Sequence, residues 1–151
     1  MKSLPDQRLL LAFSQFRRQR GEQAVLRVQR QLQPLLAERG GFEEQEAALQ
    51  RLLTSHRAND CVLDHGQLLA LLRTQAVIRR RIDLLRVERG RLEQQCRQVE
   101  QQLQEQHEHL RLLQRKHDKY VRSVQQLLRA QRLEAVRREE RELEETIGVR
   151  R

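Results

Sequence analysis

The sequence predicts an all-α fold: a long antiparallel two-helix coiled-coil hairpin, with the second helix longer than the first. Three observations point there. Apolar side chains recur every three or four residues along most of the chain. The composition is 38% hydrophobic and 34% charged, with three Phe, one Tyr and no Trp in 151 residues. That is too little bulk for a globule and is the usage of long helices. A short turn, residues 59–63, marked by Asn59-Asp60, divides two periodic segments.

The first helix is expected over residues 4–58. Ser3-Leu4-Pro5-Asp6 reads as its start, with Pro in the first turn and a carboxylate near the N-terminal N–H groups. Leu9, Phe13 and Phe16 form a stripe with a phase of its own. From Val25 the three-and-four step runs through Val28, Leu32, Leu35, Arg39, Phe42, Glu46, Leu49, Leu53 and His56. Pro34 removes a helical hydrogen bond at about 3 kcal/mol, and Gly40-Gly41 weakens the segment again. A bent or segmented helix, with a kink near residues 33–41, is the expectation.

Asn59-Asp60 marks the turn, and Asp64 followed by Gln67 caps the second helix, residues 64–147. From Leu68 the same step stops at Leu71, Gln75, Ile78, Ile82, Leu85, Arg89, Leu92, Cys96, Val99, Leu103, Gln106, Leu110, Leu113, His117, Tyr120, Val124, Leu127 and Gln131. This seam holds for roughly nine heptads. Its polar stops weaken it and fix its register. After Leu127 the phase slips, and Leu133, Val136, Leu143 and Ile147 resume before Gly148 stops the helix. At ~1.5 Å per residue the helices measure about 80 and 125 Å. The whole chain, 1–151, reads as one slender hairpin domain, with the second helix overhanging.

The charge sets the surface. Thirty Lys and Arg against 21 Asp and Glu give a net +9, so acidic partners are favoured. No apolar run approaches the ~20 residues that span a bilayer. "MKSLPDQRLLLAFSQF" lacks a small-residue cleavage site and does not read as a signal peptide. A cytosolic protein without membrane insertion is expected.

Nothing in the sequence reads as a catalytic, cofactor or metal site. There is no Gly-rich phosphate loop, and Cys61 and Cys96 have no metal-ligand spacing. In a hairpin Cys96 lies about 45 Å from the turn, beyond the ~7 Å reach of a disulfide to Cys61, and serves as core. His107 and His109 point to different faces, and His117 is a seam residue. In "RREERELEE", residues 137–145, opposite charges stand three or four apart as on a solvated face.

The stretch "RANDCVLDHGQLLALLRTQAVIRRRIDLL", residues 57–85, resembles the turn and second-helix start of the YscO/InvI stalk family of type III secretion, which is related to flagellar FliJ. The match lies in the polar turn, the capped helix start and "LLRTQAVIRRRI", then a Gln/Glu/Arg coil ending in "RREERELEETI". In architecture the resemblance extends over the whole chain, from which Pro34 and Gly40-Gly41 depart. It implies a non-enzymatic central stalk, cytoplasmic and peripheral to the secretion apparatus at the inner membrane. The terminal end would enter the pore of a hexameric secretion ATPase. The turn end would reach the cytoplasmic domain of the export-gate protein, and export chaperones are possible further partners.

Two surfaces suit those roles. Arg17, Arg18, Arg20, Arg129, Arg132, Arg137 and Arg138 lie toward the terminal end, where they could face acidic lumen loops. Leu52, Leu69, Leu72 and Val77 lie off the seam near the turn and widen its apolar face, a gate-contact patch or simply a broad intramolecular seam. Two rivals remain: a generic coiled-coil scaffold or chaperone-escort protein, and a basic coiled coil binding nucleic acid. The second has spread charge, few aromatic groups and no basic region ahead of a zipper.

Overall fold

The computed structural model describes residues 3–57 and 62–150. Two α-helices, α1 (Leu4–Ser55) and α2 (His65–Val149), form the antiparallel hairpin that the sequence predicts, with the second the longer. The Asn59-Asp60 turn and Cys61 lie outside the described residues.

Both helix starts carry a reciprocal cap. At α1 the Asp6 carboxylate accepts from the Ser3 hydroxyl at 2.7 Å and the Ser3 N–H at 3.3 Å, while the Asp6 N–H donates to the Ser3 hydroxyl. At α2 the Gln67 N–H donates to the Asp64 carboxylate at 2.7 Å, and the Asp64 N–H donates back to the Gln67 side-chain oxygen at 3.1 Å. Each satisfies N–H groups that the first turn leaves without helical partners.

The ends differ from expectation by a few residues. α1 stops at Ser55 rather than residue 58, because Thr54 and Ser55 turn their hydroxyls onto the carbonyls of Gln50 and Leu52. The chain then tightens, the Arg57 N–H reaching the Thr54 carbonyl. α2 runs through Gly148 to Val149, past the predicted stop. α1 is also unbroken through Pro34 and Gly40-Gly41. Leu32 is buried and Leu35 half-buried on either side of Pro34, so packing holds the turn that Pro alone would loosen.

Packing divides the chain into two compact units, Met1–Val25 with Glu105–Arg151, and Leu26–Gln104. In the second, Leu32, Ile78, Ile82, Leu85, Leu92 and Cys96 are buried, Cys96 to 1% exposure. The other predicted stops of that unit, from Val28 to His56 and from Leu71 to Leu103, are buried or half-buried. The Gln75 side-chain amide donates to the His56 carbonyl at 2.7 Å and closes the end of α1.

In the first unit Val25, Leu113 and Val124 are the buried apolar side chains, joined by Gln7, Ser14 and His117. The Ser14 hydroxyl lies 3.0 Å from His117 Nδ1, and the Ser123 hydroxyl donates to Gln7 Oε1 at 3.2 Å. Gly21 is buried, and a Cβ there would stand 3.1 Å from the Cδ1 atoms of both Leu110 and Leu113. The seam of α1 therefore keeps the Val25 phase back through Gly21, Arg18, Ser14, Leu11 and Gln7, all small or polar except Leu11. It does not switch to Leu9, Phe13 and Phe16, which are 72%, 57% and 54% exposed. At ~100° per residue that stripe lies roughly opposite the seam.

These contacts sort the glycines. Gly40→Ala and Gly90→Ala meet open space inside helices and should each raise stability by up to about 1 kcal/mol. Gly21→Leu overpacks the seam against Leu110 and Leu113 and should cost about 1–3 kcal/mol. Urea unfolding followed by circular dichroism would check both signs.

Candidate partner-binding surfaces

The basic residues singled out in the sequence do not share one environment. Arg17 and Arg20 are exposed and lie over the rings of Phe13 and Phe16, each guanidinium carbon 5.7 Å from the ring centroid. The i, i+4 spacing brings each cation to its ring. Arg18 is different: it occupies a seam position, is half-buried, and has Nε 3.6 Å from Glu22. Arg129, Arg132, Arg137 and Arg138 are exposed on α2, and Arg138 pairs with Glu134 at 3.1 Å.

All four are set on a stretch of α2 with no covering helix. The last half-buried residues of α2 are Leu127 and Leu128, and residues 129–150 are exposed throughout. Leu133, Val136, Leu143 and Ile147 are each at least half exposed there. At ~100° per residue they share an arc of roughly 80°, turned about half a revolution from the seam stop Leu127. The phase slip visible in the sequence is thus a change of face.

Beside Phe13 runs a groove of about 270 Å³, lined by Leu10, Phe13, Ser14, Arg17, Leu113, Lys116, Lys119 and Tyr120. Sequence reasoning missed that this end of α1 is two-faced. Stepping back from Val25 by threes and fours would have found it.

Near the other end, Leu52, Leu69, Leu72 and Val77 are exposed, as are Leu63 and Leu68. Leu68, Leu69 and Leu72 fall within roughly 100° of one another on α2. Val77 turns about 140° from Leu72 and stacks instead above the exposed Leu84. All four residues are therefore exposed, Leu52 on α1 and the other three on α2, where they make two strips rather than one patch.

One charge cluster joins the helices of the second unit. Glu46 accepts from Arg86 Nε at 2.8 Å and from Arg89 Nη1, with Arg89 Nε 3.6 Å from Glu93. The Arg86 hydrogen bond, with the charges of Arg89 and Arg86, holds the Glu46 carboxyl below its ordinary range against the opposing effect of burial. The same bond raises the Arg86 guanidinium. Glu46 and Arg89 are both seam stops, so polar stop meets polar stop across the hairpin.

His107 is half-buried, His109 exposed and His117 buried on Ser14. Among the described residues no group of three or more His, Cys, Asp or Glu is placed to hold a metal, and no helix is long and apolar enough to cross a membrane.

The profile of a family described as Salmonella surface presentation of antigen gene type M protein matches residues 6–147. No curated protein and no solved structure matches the chain at a significant level.

A carboxylate with a depressed folded pKa contributes stability that is present above its unfolded value and lost as pH falls through the folded one. Glu46→Gln should therefore lower the melting temperature at pH 7 and flatten its fall below about pH 4. Thermal melts across pH 3–7 would show this; parallel curves for both proteins would contradict it.

Proposed function

This chain belongs to the family of Salmonella surface presentation of antigen gene type M proteins, components of type III secretion, and we propose that it works there as a non-enzymatic central stalk. In this reading the terminal end enters the pore of a hexameric secretion ATPase. The turn end contacts the cytoplasmic domain of the export gate. The protein is cytoplasmic and peripheral to the apparatus, and it hydrolyses nothing. It communicates between the nucleotide states of the ring and the gate, and export chaperones are a further class of partner.

The observation that carries the proposal is the uncovered end of α2. Residues 129–149 keep helical form with no second helix to bury them; their first half is basic, with exposed Arg129, Arg132, Arg137 and Arg138 against Glu134 and Glu139, and their second half is acidic. A single helix that must enter a channel needs a polar exterior and a charge sign opposite to the lining. Arg17 and Arg20, supported on their Phe rings, extend that basic surface onto α1. Arg18 contributes to the seam instead. At the turn end, Leu52, Leu69 and Leu72 supply exposed apolar area for the gate, with Val77 on a separate strip.

Two measurements test this. Co-purification with a candidate hexameric ATPase should succeed and should raise its turnover. Arg17→Glu with Arg20→Glu should weaken that stimulation by about tenfold or more; unchanged stimulation would remove these residues from the contact. Leu72→Asp should abolish binding to the gate domain while circular dichroism stays helical. Loss of helix in that variant would mean that Leu72 supports the hairpin itself.

A further inference from the structure

The uncovered end of α2 carries an apolar strip of its own. Its apolar strip, Leu133, Val136, Leu143 and Ile147, steps by three, seven and four residues, with Glu140 in the gap. This is a heptad face with Leu133, Glu140 and Ile147 at one core position and Val136 and Leu143 at the other. All four apolar members are exposed, and nothing within the hairpin covers them. The flanking charges decide which occupant suits the face. The flank that follows Val136 and Leu143 carries Arg137 and then Glu144. The flank that precedes Glu140 and Leu133 carries Glu139 and Arg132.

Two copies side by side in parallel would set Arg132 against Arg137 and Glu139 against Glu144, like charge on like charge. Two antiparallel copies, crossing near residues 140–141, set Arg137 of each against Glu144 of the other. Val136 then packs near Leu143 and Ile147 of the second copy, while Arg138 and Glu145 stay on the outer face. The segment is basic in its first half and acidic in its second, so antiparallel pairing is complementary along its length.

We propose that, in the free protein, residues 129–150 of two copies associate as a short antiparallel coiled coil, which covers the apolar strip and engages Arg137. The inference does not rest on the stalk reading. If both hold, a partner that takes this segment must first displace the second copy, so self-pairing competes with assembly.

The test uses the full-length chain. Sedimentation over rising concentration should show a monomer–dimer equilibrium that shifts to monomer in high salt. Arg137→Glu alone and Glu144→Arg alone should each raise the dissociation constant by about tenfold, since each sets like charges opposite one another. An equimolar mixture of the two variants should recover dimer, because both flank contacts become opposite in sign. Leu143→Asp should give monomer with helical circular dichroism unchanged.

Direction is read separately, by a spin label at Gln131→Cys in a Cys61→Ala, Cys96→Ala background. Antiparallel pairing places the two labels roughly 28 Å apart, and parallel pairing about 10 Å. A chain that stays monomeric at every concentration overturns the proposal. So does the short label distance, or a dimer that survives Leu143→Asp.

Discussion

Everything in this molecule hangs on one contact, the strip where α1 and α2 lie against each other. Two helices cannot enclose a deep core, so each offers only the side chains met every three or four residues. In the Leu26–Gln104 unit that strip is apolar at Leu32, Ile78, Ile82, Leu85, Leu92 and Cys96. Burial without direction does not choose a register, because sliding one helix by a heptad keeps leucine near leucine. The choice falls to polar members with specific partners. Glu46 takes Arg86 and Arg89, and Gln75 takes the His56 carbonyl just past the end of α1. Sliding the helices would leave a mostly covered carboxylate without its cations, a larger loss than any single apolar mismatch.

The Met1–Val25 and Glu105–Arg151 unit solves the same problem with different material. Its strip contains Gln7, Ser14 and Gly21 on α1, facing His117, Ser123, Leu110 and Leu113 on α2. Small residues let the backbones approach closely, and the Ser14–His117 and Gln7–Ser123 hydrogen bonds set the register. The cost is little apolar burial on the α1 side. Leu9, Phe13 and Phe16, the bulkiest apolar side chains of that segment, stand on the opposite face with Arg17 and Arg20 over two of them. The helix thus has its weakly apolar face inward and its strongly apolar face exposed, the surface on which the proposed ATPase contact draws.

Much of this was readable before any coordinates. The three-and-four step found the seam residues of α1 from Val25 to His56 and of α2 from Leu71 to Leu127, because a fixed helical period leaves little freedom in which face is buried. Both caps were equally plain, since Ser3 with Asp6 and Asp64 with Gln67 need only local spacing. The first turns of α1 were not. Apolarity drew attention to Leu9, Phe13 and Phe16, whereas the buried positions are held by Gln7, Ser14 and Gly21, which look like surface residues one at a time. Arg18 shows the same difficulty among the candidate contacts, since charge alone placed it outward and the seam holds it half-buried. Which polar stop meets which depends on long-range register, and no local pattern states that Glu46 finds Arg89.

The tail of α2 follows from the same reasoning carried one step further. A seam residue without a partner helix is an exposed apolar side chain, so a helix that outruns its partner should either lose its apolar period or turn it to a new use. Here the period persists through Leu133, Val136, Leu143 and Ile147, but on another face from Leu127. A simple extension of the hairpin would have kept the old face and required a longer α1. The shift separates two faces of α2: one side packs on α1, and beyond residue 128 a different side is exposed, rimmed by Arg on its first half and Glu on its second. Rotating the stripe keeps the tail's apolar side chains apart from those that α1 covers, so under either proposed role, ring entry or self-pairing, binding at this end would not open the seam.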